Sequence, residues 1–126
     1  MCINAKVNER IWLENDTAVM NLPSYLEGTY LFQMPYRVPK GKKSYFFIRA
    51  VGRADLFICT STDIRKTWSP DKLISEPYSF DKRQESLRTS NGHLLIFEKK
   101  NFGFITLPMV ETDVSIFAVF IKTYKK

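Results

Sequence analysis

The sequence predicts one all-β domain, an antiparallel β-sandwich of jelly-roll type with seven to eight strands. Three observations carry that expectation. Ten Phe, six Tyr and two Trp in 126 residues favour pleated surfaces, on which aromatic side chains pack well. Short alternating apolar runs are separated by Gly, Pro and Asn turns. No stretch has the pattern of a long helix. A content of 44% hydrophobic and 25% charged residues excludes a disordered chain. At this length one domain buries roughly two-thirds of its surface and needs no disulfide or metal to fold.

Residues 1–16 read as an irregular or edge segment whose apolar knot, Ile11-Trp12-Leu13, tucks Trp12 against the body. Thr17–Leu22 is a first strand, ended by Pro23 and Ser24, and Thr29–Met34 is a stronger one after Gly28. Pro35 and Pro39 bracket Tyr36-Arg37-Val38 and deny that stretch regular ladder bonds, so a loop or bulged edge is expected. Lys40-Gly41-Lys42-Lys43 follows as a turn.

Ser44–Val51 and Ala54–Ser61 flank Gly52-Arg53, a connection that suits a type II′ hairpin. Period-2 spacing puts Phe46, Ile48 and Ala50 on one face with Ala54, Leu56 and Ile58. Tyr45, Phe47, Arg49, Asp55 and Phe57 take the other face, which is half polar, so one face is expected fully buried and the other partly. Thr62–Phe80 is a long irregular connection, of the kind that carries binding loops. The last third is a meander. Thr89-Ser90-Asn91-Gly92 turns Arg83–Arg88 into His93–Lys99, and Lys100-Asn101 leads to Phe102–Leu107. Asp113–Tyr124, apolar on both faces, is expected to be central.

Phe46-Phe47-Ile48-Arg49-Ala50, followed across a short turn by Ala54-Asp55-Leu56-Phe57-Ile58, resembles the core signature of the invertebrate farnesoic acid O-methyltransferase-like domain. That family has an F-x-V-x-A strand followed by an A-x-I-x-L strand. Tyr78, the run Glu85-Ser86-Leu87-Arg88, and the group Phe117, Phe120 and Ile121 are similar to its later elements, so the resemblance spans roughly Thr29 to Lys122. The family's Gly-Gly pair and Trp are missing between Tyr78 and Arg88, and its closing Trp is replaced. The resemblance implies a small all-β module, often an appended or repeated unit, and a ligand-binding domain of that kind is one alternative function. It does not imply methyl transfer here. The five glycines (28, 41, 52, 92 and 103) are isolated at turns, whereas a nucleotide-type cofactor needs a glycine-rich strand-to-helix turn.

Catalytic residue types are scarce. His93 stands alone beside the Asn91-Gly92 turn, and a single turn histidine is ordinarily solvated. Cys59 sits in the apolar run Ala54–Thr60, where a buried, inert thiol is expected, and Cys2 is placed on a loose N-terminus. With one histidine and two distant cysteines a zinc site lacks ligands. Glu111 and Asp113 lie two apart between strands, which is ordinary loop chemistry. Neither an enzyme nor a cofactor is expected. Asn15-Asp16-Thr17 is a glycosylation sequon, idle without secretion. No signal-like leader and no apolar run near the ~20 residues of a membrane span is present, so an intracellular protein, cytoplasmic or nuclear, is expected.

The net charge of +6 permits an anionic partner. Arg37, Lys40, Lys42 and Lys43 cluster beside Tyr36 and Tyr45, while Lys99 and Lys100 occupy a second turn and Lys122, Lys125 and Lys126 close the chain. Were the two turns to share one end, they would form a phosphate-binding patch, with Tyr36 or Trp68 free to stack on bases. Turn lysines equally keep β-proteins soluble and block edge pairing. Trp68 either plugs the end of the sandwich or anchors a partner. The leading expectation is therefore a non-enzymatic module that binds a protein through its loops or an edge strand. A nucleic-acid-binding domain is the alternative.

Overall fold

The computed structural model describes residues 2–13, 15–33, 43–44, 47–49, 53–60, 73–75, 78–106, 110–111 and 117–123. Among them the chain forms eleven strands: β1 (Cys2–Asn4), β2 (Val19–Asn21), β3 (Tyr30–Phe32), β4 (Lys43–Ser44), β5 (Phe47–Arg49), β6 (Ala54–Thr60), β7 (Asp81–Thr89), β8 (Gly92–Lys99), β9 (Phe104–Thr106), β10 (Val110–Glu111) and β11 (Phe117–Thr123). A 3-10 turn, Ser24–Leu26, precedes β3, and Leu73 and Ile74 also have 3-10 backbone. Seven strands build one antiparallel sheet in the order β1-β3-β11-β6-β8-β7-β2, and β10-β4 and β5-β9 form two-stranded ladders. The all-β, sandwich-like architecture is the one the sequence predicts. No described helix is long and apolar enough to cross a membrane.

The principal sheet divides the core in two. Ala54, Leu56 and Ile58 of β6 join Phe97, Phe117 and Val119 on one face, under Leu73, Phe80 and Phe102. Phe57 and Cys59 join Ile96, Ala118 and Phe120 on the other, under Ala5, Ile11, Trp12 and Leu26. The alternation along β6 is as expected, but all seven of its residues are buried, so the second face is covered fully and not in part. Asp55, the polar member of that face, is held by accepting the Asn101 N–H at 2.9 Å.

Two other expectations are corrected. The Ser44–Ser61 hairpin does not form, because β5 pairs with β9 (Ile48 opposite Ile105) while β6 lies between β11 and β8. β8 and β11 occupy both edges of β6 and leave none for β5; Gly52 lies outside the described residues. Of the two readings of residues 1–16, irregular or edge, the edge form is found, and the loose placement of Cys2 is corrected. Cys2–Asn4 pairs with β3, placing Cys2 in a strand rather than on a loose end. Arg10 bridges Ala18, and the Asn15 side-chain oxygen accepts the Thr17 N–H at 2.9 Å. Trp12 tucks inward as expected, its indole N–H donating to the Phe117 carbonyl at 2.8 Å.

The expected C-terminal meander is corrected: its β7–β8 hairpin and the central place of β11 are found, but β9 pairs with β5 and β11 with β3 and β6, so neither follows β8 in the sheet. Gly92 opposes Thr89 across the loop Ser90-Asn91, and β11 is an internal strand between β3 and β6. Gly92 has φ +141, a value that L side chains rarely adopt. Of the long 62–80 connection, Leu73 and Phe80 are buried, joined by a Phe80 N–H bond to the Leu73 carbonyl at 2.7 Å.

Candidate functional site

Of the residues singled out for partner or anion binding, Tyr36, Arg37, Lys40, Lys42 and Trp68 lie outside the described residues. Lys43 lies in β4, opposite Glu111 of β10. Lys99 and Lys100 are fully described and serve different ends. The Lys99 ammonium donates to the Tyr78 carbonyl at 2.9 Å, which ties the turn before β7 to the end of β8. Lys100 is exposed beside a groove of about 370 Å³ lined also by Asp81, Lys82, Arg83, Gln84, Glu85 and Glu98. Three acids face three bases there, so the groove presents no net positive field.

That groove follows from a register break in β7. Lys82 opposes Phe97 and Ser86 opposes Leu95, so Arg83, Gln84 and Glu85 stand against Ile96 alone. Such bulges bend a strand and re-aim its side chains. Here the bulge turns Arg83 onto the Tyr25 ring, 4.1 Å from its centroid, while its guanidinium donates to Glu98 at 3.0 Å. Tyr25 in turn stacks on Phe57 at 5.7 Å between ring centroids. Burial pushes the Tyr25 phenol up to about 12, with Glu85 adding to the rise and Arg83 opposing it. The Tyr25 oxygen is itself buried and lacks a hydrogen bond of sound geometry, so Arg83 acts on it through its charge and its stacking.

A different surface lies at the other side of the sheet. Tyr30 and Phe32 of β3 are 42% and 43% exposed. Being two residues apart on a strand, they point from the same face, whereas Leu31 between them is wholly buried. They neighbour β1, the last strand of the sheet order, with Asn4 opposite Tyr30. Beside Tyr30 runs a groove of about 390 Å³ lined by Ile3, Asn4, Lys6 and Glu9. Sequence reasoning placed a strand here but did not single out these aromatics. The usable signal is that Tyr30, Leu31 and Phe32 are large and apolar on consecutive positions, which a one-sided strand cannot bury.

Cys59 and His93 sit as expected, whereas Glu111, expected between strands, lies in β10. Cys59 is a free, fully buried thiol whose ionisation burial makes harder. His93 is exposed at the start of β8, opposite Arg88. Among the described residues no three of His, Cys, Asp and Glu converge as metal ligands would.

No family model matches the chain, and no curated protein does. A solved structure that matches is a beta-glucuronidase from glycoside hydrolase family 2, with a TM-score of 0.74 at 11% sequence identity. The likeness is one of fold alone. It covers 99% of this chain and 13% of that one, so the chain spans a small, domain-sized part of the enzyme's length.

Proposed function

We propose that this chain is a non-enzymatic binding module that engages a protein partner at its β1–β3 edge. The observation that carries the reading is the pair Tyr30 and Phe32, exposed side by side next to a terminal strand. An edge strand offers unpaired backbone groups to an incoming extended segment, and flanking aromatic side chains supply the apolar contact. Exposed Tyr and Phe ridges of this kind are what partner surfaces use as anchors. The fold's occurrence within a much longer protein supports a part played as a module. A non-catalytic role is further supported by Cys59, whose buried thiol is ill placed as a nucleophile.

The nucleic-acid alternative draws less support. Lys99 spends its charge on a backbone carbonyl and Lys100 borders a charge-balanced groove. The test is affinity capture from the source cell with the wild-type chain and a Tyr30→Ala/Phe32→Ala variant, each with and without nuclease. A nuclease-resistant protein retained by wild type and lost by the variant is expected. Equal retention by both would sink the edge reading. Loss of every partner on nuclease treatment, together with nucleic-acid binding at ~50 mM salt, would transfer the function to the basic turns.

A further inference from the structure

The tip of the β7–β8 hairpin carries an Asn-Gly pair, Asn91-Gly92. Of the six asparagines in the chain, only Asn91 is followed by glycine. Both residues are exposed, and nothing lies within 4 Å of the space a Gly92 side chain would fill. A glycine on the C-terminal side leaves the next peptide nitrogen sterically open to the asparagine side chain. Asn4, Asn8, Asn21 and Asn101 are also exposed, but Ala5, Glu9, Leu22 and Phe102 follow them and their side chains shield that nitrogen.

The hairpin tip is also a joint. The Asn91 amide Nδ2 donates to Thr17 Oγ1 at 2.6 Å. Ser90 N–H donates to the Ala18 carbonyl at 3.0 Å, and Ala18 N–H donates to Ser90 Oγ at 3.0 Å. Three bonds thus stitch Ser90-Asn91 to the residues that lead into β2, the edge strand opposite β1 in the sheet order.

We infer that Asn91 is a site of spontaneous covalent modification, deamidation through a cyclic imide, and that the isoaspartyl product opens this joint. The Gly92 backbone nitrogen gives its proton to solvent base and attacks Asn91 Cγ. The N–Cγ bond forms, the Cγ–Nδ2 bond breaks, and the nitrogen leaves as ammonia after taking a proton from water. Water then adds to one of the two imide carbonyls. Opening at Cγ returns an α-linked aspartate, whereas opening at the main-chain carbonyl leaves an isoaspartyl link. No electron is gained or lost. The departing Nδ2 is the atom that donates to Thr17, and a carboxylate can only accept. An α-linked aspartate keeps an oxygen in place to which the Thr17 hydroxyl can turn and donate. The isoaspartyl link adds a methylene to the backbone of a two-residue loop, which displaces the side chain from Thr17 and disturbs the pairing of Thr89 with Gly92.

The experiment is to age the folded protein in mildly alkaline and mildly acidic buffer and follow it by intact mass, peptide mapping and isoaspartate-specific labelling. The mass gain of amide-to-acid conversion, mapped to Asn91, is expected to precede modification at any other asparagine and to be faster in alkali, since the step begins with loss of the Gly92 N–H proton to base. Hydrogen exchange should then report faster opening of Thr17–Asn21 in the isoaspartyl fraction, with Asn91→Asp close to wild type. Modification of Asn101 or Asn8 as fast as Asn91 would overturn the site. Unchanged exchange over Thr17–Asn21 in the modified protein would overturn the joint.

Discussion

Tyr25 illustrates how one side chain can be well packed and poorly satisfied together. Its ring contacts both Phe57 and the Arg83 guanidinium, and both contacts depend on the ring, not the hydroxyl. The hydroxyl oxygen is buried without a sound hydrogen bond. Tyr25→Phe keeps both stacking contacts and removes the unpaired group, so the variant should be unchanged or more stable by about 1 kcal/mol in urea unfolding at neutral pH. The raised phenol adds a pH signature. The folded state holds the proton up to about 12, whereas the unfolded chain releases it near 10.0. Between those values the folded state binds more protons, so stability falls as pH rises through the window; below it, both states are protonated and this group gives no slope. Tyr25→Phe should flatten that alkaline decline. An identical decline in both proteins would show that Tyr25 is not its source.

Among the elements, the N-terminal segment contributes more than its mixed polarity suggests. Ile11 is fully buried and Trp12 nearly so, within the layer that covers Phe57, Ile96 and Phe120. The Trp12 bond to the Phe117 carbonyl fastens that layer to β11. Trp12→Phe keeps an aromatic ring but leaves a buried carbonyl short of this donor, a loss of about 1–3 kcal/mol that denaturant unfolding would register. A loss near zero would mean that the segment rests on the sheet without being fastened to it. The tuck of Trp12 was legible because an isolated Ile-Trp-Leu run in a polar stretch has few other uses. The pairing of Cys2–Asn4 with β3 was not, since three residues are too few for an alternation to declare itself. The Asn91-Gly92 hairpin was readable because the turn chemistry is local. The Ser44–Ser61 hairpin misled for the same reason. Its turn residues suit a hairpin, but the partner of a strand apolar on both faces is decided by what covers it, and β8 and β11 are distant in sequence. Tyr30 and Phe32 were hidden likewise, for exposure on one face of a strand depends on which layer stops short.

At the scale of the whole molecule, one sheet serves two cores, and this fixes how the domain must unfold. Phe120 and Phe97 are both wholly buried, but they belong to opposite faces. The strands that carry them, β11 and β8, both pair with β6, where Phe120 stands opposite Phe57 and Phe97 opposite Ile58. Loss of the β6 ladder opens both layers at once, since the strands it joins carry side chains of both. Phe120→Ala and Phe97→Ala should therefore each cost about 3–5 kcal/mol, and each should lower a single unfolding transition. Two faces that melted independently would instead give a biphasic curve, with each variant shifting only its own phase. The sheet order also joins strands far apart in the chain, β11 with β3 and with β6. Such non-local pairing closes large loops before contacts repay them, so refolding belongs in the millisecond-to-second range of β-sandwiches. Coincident transitions by tryptophan fluorescence and far-UV circular dichroism in a Trp68→Phe variant would support one cooperative unit, because Trp12 then reports one face alone whereas the backbone signal reports the shared sheet. Separation of the two curves would show that the N-terminal layer detaches before the sheet opens.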